Sequence, residues 1–530
     1  MVNTKKRKKP HFPAYRISVN RSFTLNLRPL ILTVELNNLP YPMNHKSYPF
    51  WHPLIPVLIL LTTWSAISLR GEDSRPNIIV IICDDLGYGD LGVYGHPYIQ
   101  TPNLDNMASE GILCTDFYST APVCSPSRVG LLTGRSPNRA GVYDWIPPGN
   151  AVRPDAREQV HMQASEVTIP KLLKEAGYAT AMAGKWHCNS LFNSPEQPQP
   201  GDAGFDHWFG TQNNAAPSHA NPRNFVRNGE PVGPIEGYSC QIVADEGIHW
   251  ISEHQKKNPD QPFFFYMAFH EPHEPIASPE EITASYRTVA ATEKEAAYFA
   301  NVENVDRAVG RVLATLKSLA IDENTLVVFT SDNGPETLNR YRTADHSWGR
   351  AEPLRGMKLW TTEAGFRVAG ILRWPGRIQS GQVERQALSA LDFLPTFTKL
   401  AGADLPENLQ LDGTDLIGIA TGKPITRSKP LVWAYYNAIN EHRVAMRDGN
   451  WKVLARLDLP KLQNLHTGNI QTVMDAQLQT IEVYDLTHDI GEARNLAGDN
   501  PRLTKRLSKK LTNNYRELLE NSHIWTPQIP

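Results

Sequence analysis

The run Cys124-Ser125-Pro126-Ser127-Arg128, continued by Leu131-Leu132-Thr133-Gly134-Arg135, is the densest group of chemistry-bearing residues in the chain. A lone cysteine is ordinarily a small buried hydrophobe, and Ser-Pro-Ser-Arg alone could be an ordinary turn leading into a helix. Two further clusters carry hard oxygen donors. Asp84-Asp85 follows one apolar run and Asp332-Asn333 follows another. Adjacent carboxylates repel, so burying them calls for a cation. Three carboxylates and an amide oxygen suit Ca²⁺, or Mg²⁺, while no His/Cys set has zinc spacing. Lys185 and His187 lie two apart, on one face if the segment is extended. His270-Glu271-Pro272-His273-Glu274-Pro275 supplies two histidines, His270 and His273. Lys358 closes the run Leu354-Arg355-Gly356-Met357-Lys358.

These residues need elements to hold them. Asn77–Cys83, Phe263–Phe269, Thr325–Thr330 and Val368–Leu372 are continuous apolar runs, as expected of strands buried on both faces. Thr168–Gly177 reads as a short helix with Thr168 as N-cap and Gly177 as stop, and residues 293–319 as a longer one. This alternation predicts an α/β fold with a mainly parallel sheet sandwiched by helices. In such folds the chemistry gathers beyond the carboxyl ends of strands, where the carboxylates and His270-Glu271-Pro272-His273 stand. Beyond about residue 425 the segments 432–436, 442–446, 451–454 and 481–486 are short and turn-bounded, with a helix expected over 501–519. They predict a small C-terminal α+β domain with an antiparallel sheet. The expected organisation is residues 1–75 as extension and signal, 76–425 as catalytic domain and 426–530 as C-terminal subdomain.

The motifs as a set resemble the type I, formylglycine-dependent sulfatases. The matching stretch spans roughly residues 76–500, including Arg447–Lys452 and Leu486–Leu496. Gly92-Val93-Tyr94-Gly95 and the run Phe117–Arg135 look most like the arylsulfatase A and N-acetylgalactosamine-6-sulfatase branches. The resemblance implies an alkaline-phosphatase-like fold and hydrolysis of sulfate monoesters, favouring sulfated carbohydrates. It implies that Cys124 is oxidised by a formylglycine-generating enzyme to an aldehyde whose hydrate attacks sulfur. Metal ligands would be Asp84, Asp85, the modified Cys124, Asp332 and Asn333. Arg128 would anchor the hydrate, and Lys185, Lys358 and His273 would hold the sulfate. His273, with Lys358, would protonate the leaving alcohol, and His187 would take a proton from the sulfated enzyme so that sulfate is expelled. Met357 stands where the family carries a second glycine, which puts the shape of that loop in question. A phosphonate or phosphate ester hydrolase using the same aldehyde, and a non-catalytic glycan-binding relative, are the alternative readings.

Charge and leader add constraints. Residues 1–42 hold eight Lys/Arg and one acid, and 54–68 form an apolar stretch short for a membrane span but suited to a signal core. Ala66-Ile67-Ser68 has the form of a cleavage site. Met43 is the expected start, against a genuine basic extension or an uncleaved signal anchor. Residues 69–530 carry 44 basic and 54 acidic residues, a net of −10. Such a chain attracts neither nucleic acid nor polyanions through its general field, so an anionic substrate must be drawn by a local cluster of cations. An exported protein, periplasmic or extracellular rather than lysosomal, without stable membrane insertion after cleavage, is expected. Cys114, Cys188 and Cys240 leave room for one disulfide. Asp144–Gly149, Phe192–Gly201 and residues 212–236 are expected at the pocket mouth; a packed Trp145 and a solvated Arg153 are expected ahead of their alternative role as sugar contacts.

Overall fold

The structure is a computed structural model describing residues 75–149, 156–337 and 347–527. The readings placed on residues 1–68 and on Arg153 lie outside them. The strands are, in chain order, β1 (Asn77–Asp84), β2 (Ile112–Tyr118), β3 (Ala179–Lys185), β4 (His207–Thr211), β5 (Val226–Arg227), β6 (Glu230–Pro231), β7 (Phe263–Pro272), β8 (Thr325–Ser331), β9 (Arg367–Arg373), β10 (Gln382–Glu384), β11 (Leu388–Ser389), β12 (Leu431–Ala434), β13 (His442–Asp448), β14 (Trp451–Leu457) and β15 (Leu478–Asp485).

The large sheet runs β10-β2-β9-β8-β1-β7-β3-β4-β5-β6, with β11 on β2. β1 pairs in parallel with both β7 and β8, and β3 in parallel with β7 and β4. This places the ends of β1, β7, β8 and β3 side by side. β1 is buried along its whole length. Ile78, Val80 and Ile82 belong to the core on one face, and Ile79, Ile81 and Cys83 to the core on the other. That is the alternation a strand enforces, and helices on both faces explain why the run is apolar throughout. β9 runs antiparallel to β8 and β2, so the sheet is mixed. An apolar run carries no information on strand direction.

Glu293–Ser318 is one helix, N-capped by Thr292, and Thr168 caps Ile169–Glu175 through Lys171 N. β12-β13-β14-β15 form a separate antiparallel sheet, and the helix Pro501–Glu520 packs on it through Leu507, Leu511 and Tyr515. The small sheet is joined to the large one by a stack of Trp433 on Phe366, 4.1 Å between ring centres. All five cysteines are free and buried, so the disulfide left open above does not form. Among the described residues no helix is long and apolar enough to cross a membrane.

Candidate active site

Cys124 is the first residue of the helix Cys124–Thr133. Pro126 falls in its first turn, where the missing N–H costs nothing. The helix stops at Gly134, whose φ of 64° suits glycine and whose N–H reaches Gly130 O. Gly130 is required by space: a Cβ there would sit 2.2 Å from Thr120 Oγ1. These constraints explain the motif's spacing. Cys124 is fully buried, with Sγ 3.3 Å from Asp84 Oδ1. Burial and the neighbouring Asp84 push the thiol well above its usual range, so an unmodified Cys124 is a poor thiolate nucleophile.

The strand ends meet as expected. Asp84 closes β1, and Asp85 follows with a positive φ of 64° that turns the chain. Asp85 N donates to Asp332 Oδ1 at 3.3 Å, and Asn333 Nδ2 donates to Asp85 Oδ1 at 2.6 Å. One oxygen from each of Asp84 and Asp85, Cys124 Sγ and a His273 nitrogen lie within 4.8 Å of one another. Three cations face the carboxylates. Lys185 Nζ is 2.5 Å from Asp84 Oδ2, Lys358 Nζ 2.7 Å from Asp85 Oδ2, and Arg128 Nη2 2.7 Å from Asp332 Oδ2. Arg128 also donates to Lys185 O, tying the nucleophile helix to the end of β3.

These side chains fit a hard divalent cation. Burial and the Asp84 charge push Asp332 up to about 7, and a cation beside it is what would keep it ionised at neutral pH. Asn333 Oδ1 is buried with no hydrogen-bond partner among the described residues, a costly state for an amide oxygen unless it serves as a ligand. Three carboxylates face Lys185, Lys358 and Arg128, so a divalent ion would leave the site net positive towards an anionic ester.

The histidines differ in exposure. His273 Nε2 is 3.5 Å from Asp85 Oδ2, and its Nδ1 donates to Glu274 O at 2.6 Å, which orients the ring. His273 and Lys358 line a cavity of about 420 Å³. His187 is fully buried. The extended segment ends at Lys185 and His187 has a φ of 54°, so the shared-face reading of the pair fails although both are fully buried. His187 Nε2 donates to Ile146 O, leaving Nδ1 with no partner among the described residues. Burial, then Lys185 and Arg128, hold it well below the usual histidine range. It is therefore a neutral imidazole with a free lone pair. His270 is buried against Thr211 Oγ1 and does not line the cavity. Met357 is buried, and the sharp turn is taken by Gly356 at φ +92°, so the missing second glycine is absorbed by packing.

The cavity wall draws on two stretches expected at the mouth, Asp144–Gly149 and residues 212–236, and on residues not expected there. Asp144, Arg157, Asn213, Asn214, Tyr435 and Asn437 line it beside Trp145. Asp144 accepts from Tyr435 Oη at 2.8 Å and Asn437 Nδ2 at 2.9 Å, so the segment following β12 braces the mouth. Phe192–Gly201, expected at the mouth, contributes nothing to this lining.

The sulfatase family profile matches residues 76–403, and that of the N-sulphoglucosamine sulphohydrolase C-terminal region matches 357–520. Dog N-acetylgalactosamine-6-sulfatase is 38% identical over 386 residues, 70% of each chain. Human arylsulfatase A is 35% identical over 458 residues, 80% of this chain and 83% of its own. A crystal structure of Ps i-CgsB in complex with k-i-k-neocarrahexaose superimposes with a TM-score of 0.71 at 27% identity, covering 86% of this chain and 95% of that one. With the buried Cys124 among strand-end carboxylates and cations, these similarities place the chain in the sulfatase family, as a hydrolase of sulfate esters.

Proposed function

We propose that this sulfatase removes sulfate from a sulfated carbohydrate, using formylglycine made from Cys124 by a formylglycine-generating enzyme and a bound Ca²⁺ or Mg²⁺. The observation that carries the reading is Cys124 Sγ at 3.3 Å from Asp84, fully buried among three cations and three carboxylates. Asp84, Asp85, Asp332, Asn333 and the modified residue 124 would hold the cation, which when bound would polarise a sulfuryl oxygen and offset charge. As formylglycine, residue 124 offers a hydrated aldehyde, with one hydroxyl to attack sulfur and a second whose deprotonation expels sulfate.

The chain's own residues do the rest. Lys185 and Lys358 hold the sulfuryl oxygens and balance the charge that builds as the ester bond lengthens. Arg128 fixes Asp332 and the end of β3 so that the hydrate is met in register. His273, at the cavity wall, gives the leaving oxygen its proton. His187 accepts a proton at Nδ1, the nitrogen left open by its bond to Ile146. The mouth of about 420 Å³, with Trp145, Asn213 and Asn437 on its wall, has room and polarity for a sugar. Relatives named for N-acetylgalactosamine-6-sulfate, and a fold neighbour solved with k-i-k-neocarrahexaose, support that class. The net charge of −10 over residues 69–530 leaves this cluster as the attractive point for an anion. We further read residues 76–425 as catalytic, 426–530 as a subdomain completing the mouth, and the chain as exported to a periplasm or extracellular space.

Turnover of 4-nitrophenyl sulfate against 4-nitrophenyl phosphate tests the reaction class. Sulfate should be favoured, with activity lost on chelation and restored by Ca²⁺ or Mg²⁺. Preference for phosphate, or indifference to chelator, would refute the scheme. Desulfation of defined sulfated mono- and disaccharides then tests the substrate class.

A further inference from the structure

Lys358 is held by the chain on both sides. Towards the site, Lys358 N donates to Pro335 O beside the metal-ligand loop, and Leu359 N donates to Pro122 O beside Cys124. Away from it, the turn from Arg355 to Glu363 is gripped by the C-terminal region. Ile439 N donates to Leu359 O, and Thr361 N donates to Asn440 Oδ1. A further grip comes from buried charged side chains. Glu363, Lys452 and Glu492 are all fully buried. Lys452 Nζ lies 2.8 Å from Glu363 Oε1 and 3.6 Å from Glu492 Oε1. Glu492 Oε2 accepts from Glu363 N at 2.9 Å, and the Glu492 main-chain oxygen accepts from Arg355 Nη1 at 3.0 Å. Glu492 thus spans both ends of the turn. The turn is also tied across itself, because Ala364 N donates to Arg355 O and Thr362 Oγ1 donates to the same oxygen.

We propose that Glu492, with Lys452, is a positioning residue of the active site: from the C-terminal region it clamps the Arg355–Glu363 turn and so sets where Lys358 Nζ stands. The clamp rests on the reading of Lys358 as a sulfate-holding group. A buried ion network of this kind gains little stability over well-packed apolar side chains, whereas a fixed lysine position serves catalysis directly, since small misplacements of a charged group cost large factors in rate. Around the clamp stand Arg367, bonded to Glu363 and Asp116, and Arg447, bonded to Asp116. Tyr118 Oη donates to Glu363. Glu482 lies near Arg355. Burial and the neighbouring Glu363 charge push Glu492 up to about 7 against the pull of Lys452, while Lys452 and Arg367 hold Glu363 down at about 2 against burial. The two carboxylates share one lysine, and Glu492 is the one that can hold a proton without losing its acceptor role towards Glu363 N.

A double-mutant cycle on 4-nitrophenyl sulfate tests this. Glu492→Ala is expected to lower kcat/KM by about 10- to 30-fold when Lys358 is present, and by less than about 3-fold in a Lys358→Ala background, because residues acting through one another are not additive. Glu492→Gln keeps the acceptor oxygen and should recover activity to within about 3-fold. Glu492→Asp, which keeps the charge but withdraws the oxygen, should resemble Glu492→Ala and replaces it in the cycle if the alanine variant does not fold. Equal losses in both backgrounds, or a glutamine variant as poor as alanine, would overturn the clamp while leaving the role of Lys358 intact. No loss from Lys358→Ala alone would overturn both.

Discussion

At the level of single residues the site divides into positions with a local signature and positions without one. Cys124, Arg128, Asp84, Asp85, Asp332 and Asn333 were legible because each sits in a short motif or at the end of an apolar run, and the fold joins those ends. Lys185, His187, His273 and Lys358 were legible through the resemblance, although the geometric reason offered for Lys185 and His187 was wrong, since His187 leaves the strand with positive φ. Asp144, Trp145, Asn213 and Asn214 lie in stretches expected at the mouth, whereas Arg157, Tyr435 and Asn437 carried no signal, because they join that wall only in space. The role given to His273 makes a leaving-group prediction. 4-Nitrophenolate departs readily without a proton, whereas a sugar alkoxide does not. His273→Ala should therefore cost about 10²- to 10⁴-fold in kcat on a sulfated sugar and much less on 4-nitrophenyl sulfate. Paired kinetics on the two substrates check this, and equal losses would assign the proton to another group.

At the level of elements, the apolar runs located β1, β7, β8 and β9, and the capping signals located the helices Ile169–Glu175 and Glu293–Ser318. Strand direction was not legible for β9, which lies antiparallel between β2 and β8. The clamp on Lys358 was hidden too: Lys452 on β14 and Glu492 beyond β15 fall in stretches covered by the resemblance, but nothing local marks either charge as buried. Glu492 gives this element a pH signature. Its carboxyl is raised from 4.5 to about 7 by burial and Glu363, so the folded state favours the protonated form. That contribution to stability is fully present below about pH 4.5 and fades as pH rises through about 7. Glu492→Gln, which cannot ionise, should flatten the decline of the thermal midpoint between about pH 5 and pH 8. A decline as steep as in the unaltered protein would assign it to other groups.

For the whole molecule, the two sheets share buried side chains that neither can satisfy alone. Phe366 stacks on Trp433, Trp433 Nε1 donates to Ser119 O, and Lys452 neutralises Glu363. Separating the sheets would strand these charges and expose these rings, at a cost of several kcal/mol per buried ion. Residues 71–530 should accordingly unfold in one cooperative calorimetric transition, and two resolved transitions would show that the C-terminal sheet is an independent unit. The ends of β1, β3, β7 and β8 bring their charges together around a buried position that, as a thiol, is a poor nucleophile, and the proposed chemistry stands on the identity of that side chain. Peptide mass spectrometry on the purified active enzyme tests it most directly. The peptide containing residue 124 should be about 18 Da lighter than its thiol form, as expected for conversion of CH₂SH to CHO, and the lighter fraction should rise and fall with specific activity. Full activity from a protein whose Cys124 is entirely thiol would contradict the account.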